Sequence, residues 1–207
     1  MEKKKKTIII VSLIISVLLI VVGVVCLFLA NNTDKGEQDV LQIEDDGVLK
    51  LGLLKDKIEE TQKYKISFTL NDDNYKVITK DGEQAKIEIG DSGAKKTYTI
   101  KDGSTFFKIN DDEEEYEYKN NISFLNEFEN NLDIVLTKNY NIGTETIENK
   151  TYRYEEFPNT SAFIINFKGN IDQENTKTRF YFDGNDLKYI RTYIGDISQL
   201  LKISIDV

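Results

Sequence analysis

The chain has 207 residues, 27 basic and 36 acidic, with no histidine, one cysteine and one proline. Without histidine there is no Ser-His-Asp or Cys-His catalysis, no histidine metal ligand and no physiological pH switch. The only cysteine, Cys26, lies in an apolar run near the N-terminus, so no disulfide frames the rest of the chain, which has to fold on its hydrophobic core alone.

Lys3, Lys4, Lys5 and Lys6 precede an uncharged apolar stretch over residues 7–30. At about 1.5 Å rise per residue, that stretch is long enough to cross a hydrocarbon core of roughly 30 Å. It is read as an uncleaved single-pass transmembrane helix. A cleaved signal peptide has a shorter apolar region and ends at a small-residue site; here Phe28 stands two residues before Ala30. A lipoprotein signal wants a small residue before the modified cysteine, whereas Val25 precedes Cys26. The positive-inside rule then puts residues 1–6 in the cytoplasm and the rest outside the cell membrane. Ser12 and Ser16 share one helical face and read as serines bonded back to their own helix rather than as a packing seam.

Residues 31–46 are polar and acidic, a flexible juxtamembrane linker. Beyond residue 30 stand 23 basic and 35 acidic residues, a net charge of −12, which repels phosphate polymers and argues against a nucleic-acid partner. Next, Val48, Leu49, Leu51, Leu53, Leu54 and Ile58 form a helical stripe, predicting a helix over 47–61 with Asp46 as its N-cap. The period then changes to two. Tyr64, Ile66, Phe68 and Leu70 alternate with polar residues, and further short strands follow, separated by Lys80-Asp81-Gly82, Asp91-Ser92-Gly93 and Lys101-Asp102-Gly103, the strongest short-range hairpin signals.

A second amphipathic helix is expected over 121–137, with Ile122, Leu125, Phe128, Leu132, Val135 and Leu136 on one face. Strands resume at 140–147, 151–157, 162–168, 177–182, 187–194 and 201–207, with a break at Pro158. The total is about nine to eleven strands and two helices. Two helices cannot cover both faces of so large a sheet, so the outer domain, 47–207, is expected to be α+β: a curved antiparallel sheet with both helices on one face.

Candidate chemistry is sparse. Glu155 and Glu156 are adjacent carboxylates, but neighbours on a strand point to opposite faces and cannot share a substrate. The acidic run at 111–115 lacks the offsets and glycine of a Ca²⁺ loop and reads as a solvated charge run. Asp183-Gly184-Asn185-Asp186 is more simply a hairpin turn than a cation site. Tyr116, Tyr118, Tyr152, Tyr154, Tyr181, Tyr189 and Tyr193 fall in strands. They read either as cross-strand packing or as an amphipathic lining between sheet and helices.

The order of anchor, helix, tyrosine-rich meander, amphipathic helix and further strands, with stretches such as 151–157 (TYRYEEF) and 180–190 (FYFDGNDLKYI), resembles extracytoplasmic proteins of Gram-positive bacteria. In particular it resembles the lipoprotein-carrier-like half-barrel superfamily (LolA/LolB/LppX type) over residues 46–207. The resemblance implies a half-barrel whose concave face is plugged by the helices, a non-catalytic role, no cofactor, and binding of a lipid-like or apolar ligand. The expected lining is Leu53, Leu54, Phe124, Phe128 and Leu132. A tethered protein departs from the soluble carriers in that it cannot shuttle far. The alternative expectation is a cell-surface protein-interaction or sensory module with a solid core and a membrane or surface protein as partner.

Overall fold

Alternating apolar and polar residues build eleven strands, and tight turns join most of them into hairpins. The computed structural model describes residues 47–110, 115–118, 126–165 and 169–207, all within one compact unit, Asp45–Val207. The expected membrane span at 7–30, the linker at 31–46 with its Asp46 cap, residues 111–114 and Phe124 lie outside the described residues. Among the described residues no helix is long and apolar enough to cross a membrane.

Helix α1 (Lys50–Thr61) leads into a meander of β1 (Lys63–Asn71), β2 (Asn74–Asp81), β3 (Gln84–Asp91), β4 (Ala94–Lys101), β5 (Ser104–Ile109) and β6 (Tyr116–Tyr118). Helix α2 (Glu127–Leu136) separates it from a second meander, β7 (Asn141–Ile147), β8 (Lys150–Pro158), β9 (Thr176–Asp183), β10 (Asp186–Ile194) and β11 (Ile197–Asp206). All ten pairings are antiparallel, in the order β6-β5-β4-β3-β2-β1-β11-β10-β9-β8-β7. The sheet is open, with β6 and β7 as its edges. Its one non-consecutive seam is β1 against β11, where Ile66 faces Ile205 and Phe68 faces Ile203. The fold class is α+β.

Turn chemistry sets the registers. Ser92-Gly93 and Asp102-Gly103 both take positive φ at both residues, which is the type I′ pattern whose twist matches that of the strands. The two Lys-Asp-Gly triplets differ in use: Asp102 is a turn residue, whereas Asp81 still pairs with Gln84 and Gly82 opens the turn.

Opposite residues in an antiparallel ladder share a face. The helix-side face carries Tyr64, Ile66 and Phe68 on β1, Ile78 on β2, Ile87 on β3, Phe157 on β8, Phe180 and Phe182 on β9, Leu187 and Ile190 on β10, and Leu201 and Ile203 on β11. These are buried with Leu51 and Ile58 of α1 and Phe128, Leu132 and Val135 of α2 in one core. The other face carries a small second cluster, Ile147, Tyr152, Tyr181 and Tyr189.

Two expectations need correction. Helix α1 starts at Lys50, three residues after the expected boundary, and its N-cap residue, Leu49, makes no side-chain cap. The stretch expected as a strand at 162–168 forms no strand over its described residues, 162–165; there the backbone of Ile165 pairs with the side-chain amide of Gln199 instead. A short strand, β6, follows the acidic run and carries Tyr116 and Tyr118, two of the tyrosines expected in strands. Helix α2 is described from Glu127, and 121–125 of the expected helix lie outside the described residues.

Leu132 is fully buried between α2 and the sheet. Leu132→Ala is expected to cost about 2–5 kcal/mol through lost transfer energy and the residual cavity, read as a lower urea midpoint with an unchanged slope.

Candidate functional site

Two clamps fix the helices on the sheet. Helix α1 has no acidic residue in its first turn, and a sheet carboxylate takes that place. Glu155, on the helix side of β8 and without solvent exposure, accepts from the backbone N–H of Lys50 at 2.6 Å and of Leu51 at 3.0 Å. Arg153, two residues away on the same face, donates to Glu155 at 2.7 Å. The carboxylate thus satisfies two orphan donors of the helix end, favours the positive end of the helix dipole and carries its own counter-charge. Helix α2 reverses the polarity. Its first turn holds Glu127 and Glu129, which meet sheet lysines: Lys76 pairs with Glu127, and Lys80 with Glu129 at 2.6 Å. The Tyr64 hydroxyl donates to Glu129 at 2.8 Å; burial and then that carboxylate push its pKa well above the usual tyrosine range. Lys55 of α1 reaches Asp133 of α2 at 3.2 Å and ties the helices together.

Among the described residues, Leu51, Ile58, Phe128, Leu132 and Val135 pack against the sheet in one core beneath both helices. Its opening beside Phe68, Phe128 and Phe163 measures about 20 Å³, room for about one water. The larger pocket, about 400 Å³, lies on the flank of α1. Leu53, Leu54 and Lys57 of α1 form one wall. Leu187, Ile203, Ile205 and Val207 supply an apolar floor from the sheet, and Asn185 of the β9–β10 turn with Asp186 and Lys188 at the start of β10 forms a polar rim. Lys50 at the clamped end of α1 also bonds Asn185 of that turn, at 2.8 Å. The volume falls in the ordinary range for small-molecule sites.

The expected lining residues divide between these places. Leu53, 47 % exposed, and Leu54 line the flank pocket. Phe128 lines the 20 Å³ opening, and Leu132 lies in the core away from both. Phe124 lies outside the described residues. The floor residues Leu187, Ile203, Ile205 and Val207 were not singled out from the sequence; their alternation on β10 and β11 marks a buried face but not which end of it stays open.

Tyr64 of β1 packs on Phe128 beneath α2, but the strand tyrosines of the second meander do not line the space between sheet and helices. Tyr152, Tyr154, Tyr181, Tyr189 and Tyr193 lie on the opposite face, as the register against Glu145, Arg179 and Arg191 shows. There they pack across strands: the Tyr152 and Tyr189 rings lie 5.4 Å apart, and those of Tyr154 and Tyr181 lie 5.7 Å apart. Arg179 stacks over Tyr154 at 4.3 Å and bonds Glu156 at 2.6 Å and Glu145 at 2.7 Å. Glu145 also accepts from Arg191 and from the Tyr181 hydroxyl. Burial raises the pKa of both Glu145 and Glu156, but these donors outweigh it, and both carboxyls are held below their ordinary 4.5.

Glu155 and Glu156 do point to opposite faces, one into the α1 clamp and the other into this network. In the β9–β10 turn, Asp183 and Asp186 pair with Lys150 and Lys188. Among the described residues, no group of three or more histidine, cysteine or acidic side chains is placed to hold a metal ion. No protein-family model matches the chain, and no curated protein is significantly similar to it.

Two predictions follow from the charges. Glu155→Ala leaves the partly buried Arg153 without its carboxylate and the α1 N-terminus uncapped, and is expected to cost about 3 kcal/mol in chemical denaturation. For Glu145 and Glu156 the folded pKa lies below the unfolded one, so their contribution is complete above pH 4.5 and is lost as pH falls through the depressed values. Acid unfolding followed by circular dichroism is expected to begin below that value, and Glu145→Gln with Glu156→Gln is expected to flatten the loss.

Proposed function

We propose that the chain is a non-catalytic, membrane-tethered extracytoplasmic protein whose outer domain binds a lipid-like or apolar ligand on the flank of α1. In this reading the open sheet is a half-barrel of the lipoprotein-carrier-like kind, with both helices on its concave face. Residues 7–30 are the anchor and residues 1–6 the cytoplasmic tail.

The observation that carries the reading is the 400 Å³ pocket with an apolar floor and a rim bearing Lys57 and Lys188. Such a site suits an amphiphile: hydrocarbon against Leu54, Leu187 and Ile203, and an anionic or polar head against the lysines. The packed core beneath both helices leaves the flank as the place for such a ligand. A fixed anchor favours sensing or local presentation of the ligand over shuttling. The second reading, a protein-interaction module with a solid core, is favoured by the β7 edge, which pairs with no further strand among the described residues.

The test is photolabelling of the full chain in membranes with a diazirine-bearing palmitate, followed by peptide mapping. Adducts are expected on the segments holding Leu53–Lys57 and Ile203–Val207. Leu53 is half-exposed, so Leu53→Asp leaves the fold intact and is expected to lower that labelling at least tenfold. Labelling confined to residues 7–30, or unaffected by Leu53→Asp, would refute the pocket.

A further inference from the structure

Helix α1 sorts its charges by side. Lys50, Leu53, Leu54 and Lys57 stand at i, i+3, i+4 and i+7 and share one stripe, whereas Asp56, Glu59 and Glu60 stand on another side. The first stripe borders the flank pocket, which Leu53, Leu54 and Lys57 line. A leucine pair bracketed by lysines suits a helix that meets a lipid surface. The apolar pair enters the headgroup layer, and the lysine stems lie along it with their ammonium groups in the polar zone. Leu53 is 47 % exposed, and Val48, at the clamped end of α1, is 42 % exposed.

The same mouth is an island of positive charge on an acidic chain. Among the described residues neither Lys50 nor Lys57 pairs with a carboxylate; the Lys50 Nζ donates to the side-chain amide of Asn185 instead. Lys188 pairs with Asp186 at an exposed position, and Asp186 is the one carboxylate among the pocket's lining residues. The chain enters α1 at this end, through residues 47–49.

We propose that the mouth of the flank pocket docks on the anionic surface of a lipid bilayer through Leu53, Lys50, Lys57 and Lys188, so that the amphiphile passes between bilayer and pocket without crossing water. This inference rests on the tethered, ligand-binding reading above and adds the surface through which the ligand arrives. With residues 7–30 as the anchor, residues 31–46 reach at most about 55 Å. The domain is thus kept at high effective concentration over one bilayer, where weak docking suffices. The acidic residues of 31–46 oppose the headgroup charge, so entry of Leu53 is needed beside the lysines. Ile197, 62 % exposed, begins β11, whereas the pocket takes its far end from Ile203 onward, about 20 Å away along the strand. In the docked state Ile197 stays in water.

The chain has no tryptophan, so a single introduced tryptophan reports alone. The test reconstitutes the full chain in vesicles of equal parts phosphatidylcholine and phosphatidylglycerol with brominated acyl chains, which quench tryptophan at short range. Val48→Trp, outside the pocket lining, and Leu53→Trp are both expected to be quenched roughly threefold more than Ile197→Trp. Adding Lys57→Gln and Lys188→Gln to Val48→Trp, or replacing phosphatidylglycerol by phosphatidylcholine, is expected to remove most of that difference. Equal quenching of Val48→Trp and Ile197→Trp overturns the proposal, as does quenching of Val48→Trp that ignores both the lysines and the lipid charge. Quenching of Leu53→Trp alone means that a brominated chain fills the pocket without docking; the ligand reading then stands and docking falls. If Val48→Trp is quenched as expected while the palmitate probe labels only residues 7–30, docking stands and the ligand reading falls.

Discussion

A carboxylate without solvent contact, Glu155, decides where α1 lies, and the position of α1 decides what the sheet can hold. Burying a lone carboxylate costs several kcal/mol. Here the cost is offset by Arg153 on the same face and by two N–H donors at the positive end of a helix. The arrangement works only when α1 is in place, so the helix and strand β8 are mutually dependent. One end of α1 is fixed over β8 by this clamp, and the other runs directly into β1. The helix therefore bridges the second meander and the first, over the β1–β11 seam that joins them.

Cover is the scarce quantity in this fold. Helices of 12 and 10 residues face an eleven-stranded sheet. Beneath them the core is packed by Leu51, Ile58, Phe128 and Leu132. On the far side of the sheet, the second meander makes its own thin layer from tyrosines, arginines and glutamates, which bury one another by stacking and ion pairing. Where neither device reaches, apolar surface stays open. The flank of α1, floored by the ends of β10 and β11, is such a place, and a ligand there would complete cover that the chain itself does not supply.

Much of this was legible in the residues, and the failures have physical causes. Period-two alternation and Asp-Gly or Ser-Gly turns located nearly every strand, because register and turn geometry are local properties. Helix α2 was recognisable from Phe128, Leu132 and Val135. The start of α1 was not, because its cap comes from Glu155, 104 residues downstream of Leu51; no local pattern encodes it. Residues 162–165 look like a strand by composition, yet the Gln199 side chain satisfies Ile165 in place of a neighbouring strand. The tyrosines gave their strands but not their face, since both faces of β8 and β9 carry aromatics. Of the lining, Leu53 and Leu54 were accessible from helical spacing. The floor residues were not, because openness depends on how far α1 reaches over the sheet.

The central claim is that the flank of α1 holds an amphiphile in the cell. The most direct measurement is native mass spectrometry of the full chain ejected from vesicles of its host membrane, wild type beside Leu53→Asp. The account predicts one discrete organic-extractable mass that the wild type retains and the variant loses. A bare protein mass in both, or the same adducts in both, would contradict it.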